Sequence, residues 1–244
     1  MKSRIKRYLA ALGLGIHRIP KGLPSGHILS RDLALVIGQQ PGPVCIDGGA
    51  HHGDFTALVL NCLNRPSVHA FEPTPEVFSQ LQTRHADSPG VSLFNEGLSD
   101  TEGELTLHLS SNAALNSFLP MTSTGANYYG KPHEQGQITA RTHTLDRHAE
   151  QHQIKRIDLL KIDTQGTELQ VLKGAEKLLK AGQIQSVLLE INFGDFYQNQ
   201  AAAHTVMAYL HDHGMQLVEF YEKCRHGSHL SWCTALFTKR AATT

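Results

Sequence analysis

Short apolar runs alternate along this chain with stretches in which apolar residues recur at helical spacing, and polar turns carrying glycine separate the two. Residues 44–46, 68–72, 91–95, 157–162 and 186–191 are runs of the first kind and predict buried strands. Residues 31–37, 55–63, 75–84 and 204–213 are of the second kind, and Leu169, Leu172, Ala175 and Leu179 predict one further amphipathic helix. Strand and helix in regular succession predict an α/β fold on a mostly parallel sheet. Two stretches break the rhythm. Leu105, Leu107 and Leu109 alternate with Thr106 and His108, the period-2 pattern of a half-exposed strand, while residues 110–136 are polar, glycine-bearing and dotted with Phe118, Tyr128 and Tyr129. That long segment predicts either a binding lid or a floppy insertion. Residues 138–145 then read as extended, 146–153 as a short polar helix, and 216–221 with 232–239 as a closing hairpin.

The strand at residues 44–46 runs straight into Asp47-Gly48-Gly49-Ala50-His51-His52-Gly53, and a helix begins near Gly53. Glycines let the chain turn sharply with no Cβ between backbone and ligand, and the helix aims free N–H groups and its positive dipole end the same way. Such a turn suits a nucleoside-bearing cofactor; a tight strand-to-helix turn without a ligand is the plain alternative. The spacing is not the dinucleotide G-x-G-x-x-G, because three other residues separate Gly49 from Gly53. An acid ahead of the turn repels a pyrophosphate and favours a ligand with positive charge and no phosphate, such as S-adenosylmethionine. Glu72, followed by Pro73, ends the second strand 25 positions after Asp47, where α/β folds place an acid on ribose hydroxyls; a surface acid before a turn is its bland reading. Residues 96–100, just past the third strand, are where an adenine would be bracketed. Residues 157–169 repeat the strand, turn and helix plan. Lys161 and Asp163 share one strand face there, Glu168 falls in the first helical turn, and Glu190 stands near the end of the fifth strand.

The 244 residues, 40% of them hydrophobic, suffice for one good core. Lysine plus arginine and aspartate plus glutamate balance at 22 each, which gives no reason to expect a nucleic-acid partner. Sixteen histidines make the charge sensitive to pH, and most are expected on the surface. Cys45, Cys62, Cys224 and Cys233 contain no C-x-x-C pair, so neither a zinc site nor a disulfide framework is expected, and reduced thiols in a cytoplasmic protein fit best. Lys2, Arg4, Lys6 and Arg7 precede an apolar run at residues 8–16 that imitates a signal peptide. It lacks a small-residue cleavage site and is too short to span a bilayer. The reading is a basic amphipathic helix that caps the domain or makes, at most, peripheral contact with a membrane surface or a partner.

In this order and spacing, Ile46-Asp47-Gly48-Gly49-Ala50 with Gly53, Ala70-Phe71-Glu72-Pro73, Gly97-Leu98-Ser99-Asp100 with Gly103, Thr144-Leu145-Asp146 and Leu160-Lys161-Ile162-Asp163-Thr164-Gln165-Gly166-Thr167-Glu168 resemble the FkbM-type S-adenosylmethionine-dependent methyltransferases. The resemblance implies a Rossmann-like class I methyltransferase fold: a seven-stranded, mostly parallel sheet with its last strand antiparallel and helices on both faces. It implies a methyltransferase domain, placed at residues 39–244 behind the helical extension read at residues 1–38, and O-methylation of a small polyhydroxylated acceptor, a sugar foremost. By position, Asp47, Gly48, Gly49, Ala50, His51 and Gly53 would surround the methionine part of the cofactor, Glu72 and Pro73 the ribose, and Leu98, Ser99 and Asp100 the adenine. His51 departs from the asparagine usual there. Methyl transfer to a hydroxyl is an in-line displacement that needs positioning and one base. Asp163 is the first candidate, with Lys161 orienting it and Glu168 and Glu190 binding substrate hydroxyls; His133 and His143 are alternative bases. The acids could instead collect a divalent metal through oxygen ligands, and Lys161 with Asp163 could be a structural ion pair. A non-catalytic interaction module of the same fold, and a nicotinamide oxidoreductase, are the competing readings. A homo-oligomer is compatible with all of them.

Overall fold

The computed structural model describes residues 22–240, so the expected basic helix at residues 8–16 lies outside the described part. Its elements run α1 (Leu29–Ile37), β1 (Val44–Gly48), α2 (Asp54–Cys62), β2 (Ser67–Phe71), α3 (Pro75–His85), β3 (Val91–Phe94), β4 (Gly97–Leu98), β5 (Gly103–Ser110), a 3₁₀ turn (Ala113–Leu115), α4 (Ser123–Tyr128) and β6 (Glu134–His143). Then come α5 (Leu145–Gln151), β7 (Leu159–Ile162), α6 (Glu168–Lys173), α7 (Glu176–Lys180), β8 (Ser186–Asn192), α8 (Ala203–Asp212), β9 (Met215–His226) and β10 (His229–Lys239).

The main sheet has the order β3-β2-β1-β7-β8-β10-β9, and β4-β6-β5 form a small second sheet. Neighbours in the main sheet are parallel up to β8, and β10 is antiparallel to both β8 and β9. This is the seven-stranded sheet with a reversed last strand that the resemblance implies. Strand order reverses between β1 and β7, and in such sheets the ligand crevice opens outside the carboxyl ends at that switch. There Asp47 stands opposite Lys161, and Gly48 opposite both Ile162 and Phe71.

Alternation along the strands sorts the core into two layers. Ile46, Leu160, Ile162, Val187 and Leu189 pack with Leu145 of α5, Val171 and Leu172 of α6, Leu178 and Leu179 of α7 and Val206 and Leu210 of α8. Cys45, Leu159, Leu188 and Leu236 point the other way, onto Leu33 and Ile37 of α1 and Val59 of α2. Burying each such side chain contributes roughly 1.5–3 kcal/mol. Asp47 and Lys161 occupy the second face, one step beyond Cys45 and Leu159, so their burial follows from strand register.

Two expectations change. The single helix expected around residues 169–179 is two, because a β-carbon on Gly174 would lie 2.0 Å from the carbonyl oxygen of Ser99, and the chain must bend where the two backbones meet. Asp146 then caps the restart, its carboxylate accepting from the N–H groups of Lys177 and Leu178 at 3.0 Å each. Residues 110–136 are structured: Thr122 Oγ1 accepts from Gly125 N to start α4, and Tyr128 stacks on Phe196 at 4.8 Å between centroids. Of the histidines, most of which were expected on the surface, His69, His85 and His148 are buried. His69 Nδ1 and His148 Nε2 lie 2.9 Å apart, and burial, then the neighbouring His152 and His69, push His148 down to about 3. The cysteines are free thiols, and Cys224 sits opposite Trp232 rather than Cys233.

Candidate active site

The β1–β7 register brings Lys161 Nζ to 3.0 Å from Asp47 Oδ1, and the same ammonium donates to the Gly49 carbonyl at 2.7 Å. Asp47 is fully buried and its Oδ2 accepts from Thr56 Oγ1 at 2.7 Å. Asp47 Oδ1 has the Lys161 ammonium as its partner and is sealed from solvent. Burial alone would pull the Lys161 ammonium down, but the Asp47 and Asp163 carboxylates prevail and hold it above its ordinary value. Lys161 was expected to serve Asp163; that carboxylate is its more distant partner, 3.9 Å away.

Beyond Asp47 the chain turns through Gly49 at φ +75°. A β-carbon there would stand 2.0 Å from the Asp163 carbonyl oxygen, so it is the second turn, and not a ligand alone, that demands glycine. His51, at φ +49°, donates its backbone N–H to Glu72 Oε2 at 3.0 Å, and Thr74 N donates to Glu72 Oε1 at 2.8 Å. Glu72 thereby clamps the turn to the end of β2, and burial raises its pKa despite these bonds. It lines a first cavity with Pro73, Gly97, Leu98, Phe118 and Asp163.

The turn after β7 is braced from within. Glu168 is buried, and its Oε1 accepts from the N–H groups of Thr164 and Gly166 at 3.1 Å each; burial pushes it up to about 7. Glu168 lines neither of the two cavities at the β1 and β7 ends, so its place is in the turn and not on substrate. Gln165, which the sequence reading gave no role, sits at φ +52° and donates from Nε2 to Asp163 Oδ1 at 2.7 Å. Its Oε1 accepts from Tyr197 OH at 2.9 Å, and its carbonyl accepts from Ser117 Oγ at 2.6 Å. The relay fixes Asp163 with Oδ2 on the Lys161 side. Asp163 keeps 42% of its side chain exposed and lines both cavities.

The second cavity lies on the α1–α2 face, walled by Ala50, His51, His52, Lys161, Asp163, Glu190 and Trp232 among others. Burial, then the Asp163 and Glu168 charges, hold the Glu190 carboxyl well above the usual range, while Asn192 Nδ2 donates to its Oε1 at 3.1 Å. Gly49, His51 and Asp163 line both cavities and form the wall where they meet. Gly48 and Gly53 shape the turn without lining either one, and α2 begins after Gly53 with no side-chain cap. Leu98 reaches the first cavity, but Ser99 and Asp100 do not. The β4–β6 pairing commits Ser99 N to the His143 carbonyl, and Asp100 is exposed in a separate depression with Thr144 and Lys173. His143 meets Gln151 and His133 is exposed, both away from the cleft, so neither serves as its base. Among the described residues no group of three or more His, Cys, Asp and Glu side chains is placed to hold a metal ion.

The family described as "Methyltransferase FkbM domain" matches residues 47–217, from the buried aspartate to β9. The chain belongs to this family. It is 28% identical over 149 residues to the hexuronic acid methyltransferase AglP of Haloferax volcanii, covering 61% of this chain and 55% of that protein. It is 22% identical over 175 residues to the 2-O-methyltransferase NoeI of Sinorhizobium fredii, covering 69% and 71%. The chain thus spans little more than half the length of the first relative. No helix among the described residues is long and apolar enough to cross a membrane.

Proposed function

We propose that this chain binds S-adenosylmethionine across the β1–β7 crevice and transfers its methyl group to a hydroxyl of a polyhydroxylated acceptor, a sugar. The observation that carries the reading is the meeting of two cavities at Gly49, His51 and Asp163, one with Glu72 and Leu98 on its wall and the other with carboxylates and Trp232. The residues fit the cofactor. Glu72, oriented by two backbone N–H groups, retains lone pairs for ribose hydroxyls beside apolar Leu98. The uncapped start of α2 suits a carboxylate, and Asp163, on the wall that the two cavities share, favours cationic groups nearby. When bound, the cofactor supplies an electrophilic methyl group on a sulfonium.

The remaining work belongs to the chain. The wall residues hold the acceptor hydroxyl in line, and apolar Phe55, Leu58 and Leu188 keep water from that side of the cavity. Asp163 Oδ2, its partner oxygen fixed by Gln165, takes the hydroxyl proton, and Lys161 stabilises the charge of the carboxylate beforehand. The relatives' names, a hexuronic acid methyltransferase and a 2-O-methyltransferase, support a sugar acceptor. The test is calorimetric binding of S-adenosylmethionine against NAD, followed by transfer of labelled methyl to a panel of sugars with and without EDTA. Tight NAD binding without S-adenosylmethionine binding rejects the reading, and a loss of transfer in EDTA brings back the metal.

A further inference from the structure

The second cavity, about 350 Å³, is acidic in a way that the cofactor does not require. Asp54 is paired with Arg84 at 2.6 Å, but Asp163, Glu190 and Glu222 also stand on the wall. Among the described residues the cavity's lysine and arginine complement is Lys161 alone, and that ammonium is already held by Asp47 and the Gly49 carbonyl. His51 and His52 are also on the wall, and burial, then the neighbouring His52, keeps His51 below its ordinary pKa, so it adds no cation near neutral pH.

The far wall is made by the terminal hairpin. Thr234 of β10 lies opposite Glu190 of β8, and its Oγ1 donates to Glu222 Oε2 of β9 at 3.2 Å. The β9–β10 register shifts between Trp232 and Thr234, and both residues line the cavity. An indole face beside two carboxylates and a hydroxyl is a surface for a sugar ring: apolar C–H groups stack on the indole, and ring hydroxyls or an ammonium donate to the acids. A carboxylate, phosphate or sulfate on that ring would bring a further anion to a wall that already carries Asp163 and the exposed Glu222, and would make ionisation of Glu190 costlier still.

We infer that this cavity takes a non-anionic acceptor, a neutral or amino-bearing sugar ring stacked on Trp232, and that Asp163 and Glu222 are the residues that exclude acidic sugars. The inference rests on the methyltransferase reading and adds the charge of the substrate. Glu222 is exposed at the cavity rim on a hairpin, so its replacement leaves the core untouched.

The experiment measures kcat/KM for labelled methyl transfer to matched methyl hexosides and their uronides, which differ only in CH₂OH against COO⁻, with the 2-amino-2-deoxy hexosides alongside. The neutral and amino sugars are expected to exceed the uronides by about tenfold or more at low salt. Glu222→Gln narrows that ratio by roughly threefold, and Glu222→Lys narrows it further, because the rim charge is removed and then reversed. Equal or faster transfer to the uronides overturns the charge inference and leaves sugar methylation standing. Transfer to no sugar, from protein that still binds S-adenosylmethionine, overturns the sugar reading and this inference together. A Glu222→Lys ratio equal to that of the unchanged protein removes Glu222 from the discriminating pair.

Discussion

After β1 the chain turns through Gly49 toward α2, and the acid at that strand's end, Asp47, is fully buried against Lys161 and Thr56. After β7 it turns through Gln165 and Gly166 toward α6, and the acid there, Asp163, is 42% exposed and held through Gln165 by Tyr197. The same strand, turn and helix plan therefore yields an acid that fixes the sheet and an acid that faces the cleft. Two positions in register decide which. Asp47 is inside β1 and opposite Lys161, while Asp163 follows the last residue of β7 and has no strand neighbour to bury it. An acid within a strand must be paired where it is buried, and an acid just past the end is free to do chemistry.

If that contrast is right, Asp163→Asn lowers kcat by about 10²–10⁴-fold while the unfolding midpoint stays near that of the unchanged protein and calorimetric affinity for S-adenosylmethionine falls far less than kcat. A variant that unfolds instead would give Asp163 the role assigned to Asp47. Lys161→Met acts on the other half: it strands the Asp47 charge in the core and is expected to cost about 3–5 kcal/mol in urea unfolding. Adding Asp47→Asn should recover much of that loss, and failure of the double variant to recover would break the pair.

The brace in the second turn has a pH signature. Burial raises Glu168 from the ordinary 4.5 to about 7, so the folded state holds this proton more tightly than the unfolded state does. Its contribution is full below the unfolded pKa and declines as pH rises through the folded one. Between pH 4.5 and pH 8, the stability difference between Glu168→Gln and the unchanged protein should move by about 3 kcal/mol in favour of the variant. The smallest effect belongs to Tyr197→Phe, which frees Gln165 Oε1 at a cost of about 1 kcal/mol. It should shift the acidic limb of the kcat/KM pH profile if Gln165 orients Asp163, and leave that limb in place if Tyr197 only packs.

The sheet was legible because each buried parallel strand is a short, almost unbroken apolar run, and each turn carries its acid and glycine in sequence. Residues 44–53 and 157–169 therefore pointed to the crevice without any knowledge of strand order. What stayed hidden depends on partners distant in sequence. Tyr197 is 32 positions from Gln165, and Trp232 and Glu222 reach Glu190 only because β10 inserts between β8 and β9. Ser99 and Asp100 were misplaced because β4 is two residues long, too short for period-2 alternation to show which side chain faces the cavity. The break at Gly174 was invisible because its cause is the Ser99 backbone on another element.

The place of β10 in the sheet also sets an order of assembly. Everything that walls the first cavity is made by residue 165, whereas the second cavity waits for Trp232 and Thr234, on the last strand among the described residues. A growing chain can close the first cavity before it possesses the wall of the second. On the proposed reading, the hairpin of β9 and β10 is also the step that adds an acceptor wall to a nucleoside-binding half.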